Sequence, residues 1–418
     1  MPDASGLLAL GQALDEHLIG AYSPPPGTPT ALGFLPGVAV NPSSFAPTGV
    51  VNPFAVQTFL DTVANVLGPV VDGRFAGFMS AEQIYGMVID VASPLDPLGT
   101  PAADAFLSVK DTARSAFEAS PVKQLVTVPM DWYDAAGTEG WSTFSTSDTH
   151  QAGHQGATST GDVPPVRTPP VLPPRERFEA LWRWRTLDPA ATADLSEVSV
   201  HDRRSVSSLV RSRSVDGVDP SPARVPTTAP RRQLLASLAA NQRELAPGES
   251  AVVRSTALAR LIEVQAPVLV AEIDDDSDAT STQSVESDEL TLSMEYCFVQ
   301  VSRQTWWNDA ILRMPRWYAP GCAAGAFSSG DSVGGLPLGV PIAMVLTRNV
   351  SVTGHWTEAD RSAAESHTSF GPWSMRDAEM AYEESTEMAT LTIPGMQVVA
   401  VVCALLPPLA PADDPALA

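Results

Sequence analysis

The chain has 418 residues, 44% apolar and 17% charged, enough for a large buried core and for two or three domains. Its formal charge of −23 at neutral pH excludes general binding to nucleic acid or anionic membranes, whose phosphates such a surface repels. Lysine occurs only at Lys110 and Lys123 amid abundant Ala, Pro and Val, which points to a GC-rich, bacterial genome.

Three cysteines, Cys297, Cys322 and Cys403, have no metal-ligand spacing and read as buried, reduced thiols. The N-terminus carries Asp3 and no basic n-region, so a cleaved secretory signal is not expected. No apolar run is long enough to span a bilayer. The expected location is the cytoplasm, or release without a cleaved signal peptide.

Leu7, Leu10, Leu14 and Leu18 recur at helical spacing after Ser5 and predict a short amphipathic helix. Ser23–Ser44, rich in Pro and Gly, reads as extended and irregular. Three helices follow, each with a start signal. They are Asn52-Pro53 before Val56, Phe59, Leu60, Val63 and Leu67, a capping box at Ser80–Gln83, and Thr100-Pro101 before Phe106, Val109, Ala113 and Phe117. Residues 1–122 are read as a helical domain. Residues 123–134, with Gln124–Trp132 as a strand, are read as joining the C-terminal sheet.

From Ala135 the chain turns to Gly, Ser, Thr, Pro and His without apolar periodicity, and 135–229 reads as a mostly disordered linker. It holds one helix candidate near 175–187, with Phe178, Leu181 and Trp182 on one face. His150 and His154, the PxxP run at Pro170–Arg175 and the arginines at 211–214 read as linker features, not as sites. Arg231–Leu245 and Thr256–Val264 read as helices and Val268–Ile273 as a strand. Asp274–Asp278 opens an acidic hinge that lacks the Gly and terminal Glu of a calcium loop.

The β-rich domain is placed at 230–410. Leu290, Leu292, Met294, Tyr296 and Phe298 alternate with Thr291, Ser293 and Glu295, and from Cys297 the second face turns apolar with Val299 and Val301. Val340–Thr353, Met388–Ile393 and Met396–Leu406 are further strands, and Glu358–Glu365 is a short helix or turn. The acidic tail, 411–418, is expected to be mobile. The fold class is α+β: an N-terminal helical region, a disordered middle and a β-rich, sandwich-like C-terminal domain.

Between these strands lies the densest aromatic cluster. Arg303, Trp306, Trp307, Asp309, Trp317 and Tyr318 mix rings with charge, a short helix is expected over Asp309–Arg313, and Pro320, Gly321, Gly325 and Gly330 make a tight loop. The cluster reads as a core plug over the end of a sheet or as a binding platform with His355 and Trp373. Ala326–Gly330 is an AxSxG variant of the nucleophile elbow, which makes Ser328, with His355 as base and Asp331 as orienting acid, a candidate hydrolytic set. The strand before and helix after that such an elbow requires are missing from the pattern. His355, Glu358, Asp360 and His367 match no metal pattern; neither metal nor cofactor is expected.

The function expected from these residues is non-enzymatic binding or assembly through the aromatic, glycine-rich loops. The partner would be another protein or a second copy, without nucleic acid and without stable membrane insertion. A serine hydrolase centred on Ser328, and a toxin or pore-forming protein released without a signal peptide, are the alternatives.

Overall fold

The structure is a computed structural model describing residues 5–147, 183–187, 279–284, 288–330 and 337–417, apart from 26, 48, 72, 76, 78, 135, 138 and 386. The expectations for His150 and His154, the PxxP run, the arginines at 211–214, the two helices and strand between 231 and 273, and the DDDSD run fall outside these residues.

Helix ends follow capping chemistry. In α3 (Pro53–Val63) the Asn52 side chain accepts from Phe54 N and Ala55 N, and α5 (Pro101–Ala119) starts on Thr100, whose Oγ1 accepts from Ala103 N. Before α4 (Ala81–Val91), Ser80 holds the cap position, but its hydroxyl makes no capping bond, unlike the expected capping box. The chain's two lysines close two of these helices. Lys110 donates to Ala92 O just beyond the end of α4, and Lys123 donates to Phe117 O and Ser120 O at the end of α5. The remaining helices are α1 (Ser5–Ala21), α2 (Pro42–Phe45), α6 (Ala310–Arg313) and α7 (Glu358–Ser366).

The N-terminal helical region is threaded into the sheet. Thr30–Val40, expected to be irregular, is strand β1 and runs antiparallel to β18 (Met396–Leu405). Pro36 and Gly37 fall where the register shifts between Phe34 and Val38, so a bulge absorbs them. A side chain at Gly37 would collide with Gln397 Oε1 at 2.3 Å and Ser374 N at 2.5 Å, so only glycine fits. Four short strands follow: β2 (Val66–Val71), β3 (Arg74–Phe75), β4 (Met79–Ser80) and β5 (Ser93–Pro94). Leu67, expected on the face of α3, lies in β2 and is fully buried.

Within Gln124–Trp132, β6 (Val126–Val128) pairs with β10 (Asp288–Ser302). Two strands also appear in the segment read as linker: β7 (Trp141–Ser145), paired with β10, and β8 (Arg183–Leu187), paired with β9 (Ala279–Ser284). The last five residues of the helix expected near 175–187 are therefore strand, and the others lie outside the described residues. At 183–187 non-local pairing decides.

The long strand β13 (Leu338–His355) lies at the centre. It pairs with β10 on one edge, and with β18 and β17 (Met388–Ile393) on the other. β16 (Glu379–Glu383) extends the sheet beyond β17. On the far side β18 continues to β1, β3 and β2, and β2 returns to β13 at Leu338 and Gly339, closing a five-strand circuit. β11 (Trp317–Tyr318) pairs with β5, and β12 (Ser328–Ser329) with β19 (Pro408–Leu409). The hairpin β14 (Ser369–Phe370) and β15 (Trp373–Ser374) joins β8 and β9 in a small four-stranded sheet.

The strand period assigns the two cores. Odd residues of β10, Cys297, Val299 and Val301, face α3, α4 and the aromatic loop. Even residues, Leu290, Leu292, Met294 and Tyr296, face α1 and the β14–β15 hairpin, where Leu10, Leu14, Leu18, Phe370 and Trp373 are buried. Side chains that alternate across a pleat with both faces covered give this continuous apolar reading.

Candidate functional site

Three places carry the residues that the sequence singles out. The first is the aromatic loop after β10. Arg303 is buried, and its Nη1 donates to Pro341 O at 2.7 Å and its Nη2 to Ala64 O at 2.6 Å. Burial pulls the guanidinium down to about 10, still protonated at neutral pH. Trp306, 1% exposed, donates from Nε1 to Gln124 O at 2.9 Å. Half-buried Trp307 stacks on Tyr85 at 4.5 Å, and Tyr85 Oη both accepts from Asn308 N and donates to Asn308 O. Burial pushes that phenol up to about 12. Trp317 is fully buried in β11, Tyr318 is half-buried, and Asp309 is exposed and bonded to Arg313. Arg303, Trp306 and Trp317 thus tie the sheet to the helical layer. Trp373 is buried on the opposite face of the sheet, and its Nε1 donates to Thr347 Oγ1 at 3.1 Å.

The second place is the glycine-rich loop. The tail expected to be mobile is docked along it. Ala412 N donates to Trp317 O, Asp414 N to Cys322 O, and Gly325 N to Ala410 O. Asp414 Oδ2 accepts from Gly321 N at 2.6 Å, and Asp413 Oδ1 from Ala324 N at 2.8 Å. The acidic residues that suggested a solvated tail supply the acceptors that the loop's amides need.

This docking also decides the Ser328 geometry. Ser328 is 2% exposed on β12; its Oγ accepts from Gly330 N and donates to Leu406 O. Leu406 N in turn bonds Leu338 O at the start of β13, whereas His355 ends that strand. Seventeen steps of extended chain separate the two ends, roughly 50 Å along the strand. His355 is exposed and its Nδ1 lies 3.3 Å from Glu387 O. Asp331 lies outside the described residues. Ser328 thus sits near the start of β13 and His355 at its end. Among the described residues no three His, Cys, Asp or Glu side chains converge as a metal ligand set. No helix among them is long and apolar enough to cross a membrane.

The third place was not singled out by the sequence reading. Among the described residues nine large apolar side chains are exposed, and five of them lie in two short segments. Val50 (73%) and Val51 (46%) precede α3 and Phe54 (53%) lies in its first turn, while Val128 (61%) ends β6 and Met130 (76%) follows it. The two segments flank one ring cluster. Phe45 lies 5.6 Å from Trp132 and 5.4 Å from Tyr133, Phe59 lies 5.5 Å from Trp132, and Asn52 N donates to Phe45 O. A signal for this face was present: no charged side chain occurs from Leu18 to Leu60, nor from Gln124 to Met130.

Comparison with family models, with curated proteins and with solved structures gave no match.

Proposed function

We propose that the protein is a non-enzymatic binding or assembly protein whose contact surface is the apolar face at Val50, Val51, Phe54, Val128 and Met130. The observation that carries this reading is their concentration. Single exposed apolar residues are ordinary, but five within two short segments that meet at one ring cluster offer a recognition surface. The ring cluster that joins the two segments supports it by holding them together, which lowers the entropy lost on contact.

The loops at Trp306–Gly335 and His355–Trp373 are weaker surfaces. Of their tryptophans, Trp306, Trp317 and Trp373 are at most 1% exposed and Trp356 is 6% exposed, which leaves half-buried Trp307 as the one with open surface. The hydrolase alternative has less support, because Ser328 sits near the start of β13 and His355 ends that strand. The pore-forming reading would need α1 to leave the sheet, where Leu10, Leu14 and Leu18 are buried.

A photo-crosslinking amino acid placed at Val50 in the expressing cell tests the proposal. An adduct to a protein from position 50, absent when the same group replaces the exposed Leu98, is the expected outcome. Equal labelling at both positions, or none, sinks it.

A further inference from the structure

We infer that the occupant of this apolar face is a second copy of the chain, docked face to face about a two-fold axis; the inference rests on the binding reading above. Three observations favour a copy over a different partner.

The first is electrostatic. The chain carries −23, so two copies repel wherever their acidic surfaces meet. A self-contact has to use a region without carboxylates, because in a two-fold contact each charge near the axis meets its own image. The stretch from Leu18 to Leu60 and that from Gln124 to Met130 contain no charged side chain, and both supply the face. A different partner would be recognised more readily through the abundant negative charge, which steers encounter and fixes register.

The second is chemical. The polar side chain at the centre of the first segment, Asn52, spends its Oδ1 on the α3 amides of Phe54 and Ala55. Around it Val50, Val51, Pro53 and Phe54 are exposed and apolar, a surface that complements itself, and the Asn52 Nδ2 amide is left to donate across the contact. Asp131 and Asp134 are exposed just beyond Met130, and we place them at the rim.

The third is area. A standard interface takes about 800 Å² from each partner, and homodimer contacts are about 65% apolar, so each copy must offer about 500 Å² of apolar surface. Five side chains between 46% and 76% exposed supply an area of that order.

Sedimentation of the full chain over a concentration series, at low and high sodium chloride, tests this. The expected result is a monomer–dimer equilibrium that tightens with salt, because screening removes repulsion between two acidic copies while apolar contact persists. Phe54→Ser with Met130→Ser should weaken the dimer at least tenfold, and Leu98→Ser should leave it unchanged. Circular dichroism and the denaturant midpoint of the double variant establish that it is folded; if it is not, Val50→Ser with Val128→Ser replaces it. A dimer that the variants do not weaken overturns the inference, as does a monomer at every concentration and salt. In the monomeric case an adduct to a different protein from position 50 keeps the binding reading alive, and absence of any adduct removes both.

Discussion

Arg303 shows how one side chain joins the parts of this molecule. Its guanidinium bridges Ala64 O beyond α3 and Pro341 O in β13, with the Trp307 ring 5.3 Å away. A lysine there has neither the planar fork nor the same reach to two carbonyls. The tryptophans around it divide by exposure. Trp306 and Trp317 are enclosed, so replacing either with Ala should cost about 3–5 kcal/mol in lost burial and residual cavity. Trp307 is half-buried and stacked on Tyr85, so Trp307→Ala should cost roughly 1–2 kcal/mol. Urea midpoints of the three single variants check the order. Three values within about 0.5 kcal/mol of the parent would mean that the loop is surface and not core.

Among the elements, α1 carries a charge that works against its own docking. Asp15 faces inward beside Leu14 and Leu18 at 5% exposure, and burial, helped by Glu16, raises its pKa from 3.8 to about 6. A raised carboxyl pKa means that the folded state holds the proton more tightly. The stabilisation is complete below the unfolded value, near pH 4, and is lost as pH rises through 6, to a total of at most about 3 kcal/mol. His17, bonded through Nε2 to Tyr296 Oη and lowered by burial, acts in the opposite sense and loses stability on acidification. Asp15→Asn should therefore raise Tm at pH 7.5 and flatten the rise in Tm between pH 6.5 and 4.5. An unchanged profile would show that Asp15 is solvated.

At the same scale, the sequence makes some elements legible and hides others. The helices α3, α4 and α5 and the strand β10 are readable because their signals are local, in caps and in period. β1 is hidden because its Pro36 and Gly37 look like loop residues, until a bulge and the approach of Gln397 give them a place. The docked tail is hidden because Asp413 and Asp414 read as solvated charges when the loop amides they bind are some ninety residues away. The contact face is hidden for the same reason: exposure of Phe54 and Met130 depends on where β6 runs beside α3, and only pairing with β10 fixes that.

The whole molecule is held by contacts between its two ends. β1 lies along β18, β6 and β7 lie along β10, Trp306 and Arg303 tie the aromatic loop to Gln124 and Ala64, and Tyr85 reaches Asn308 in that loop, all across the same divide. The core on the helical face draws residues from both sides, Leu60, Val88 and Phe106 from one, and Met344, Val398 and Cys403 from the other. Neither side buries its apolar surface alone, so the chain before residue 148 and the chain after 278 should fold as one cooperative unit. A site-specific protease sequence placed between those positions allows a direct check. After cleavage the two fragments should co-elute on gel filtration and unfold in a single denaturant transition, because the strand ladders and the shared core need no covalent link. Once unfolded and diluted apart, each fragment should stay unstructured until the other is added. Fragments that separate under native conditions, each with its own transition, would show instead that the chain is built from two independent domains that merely touch.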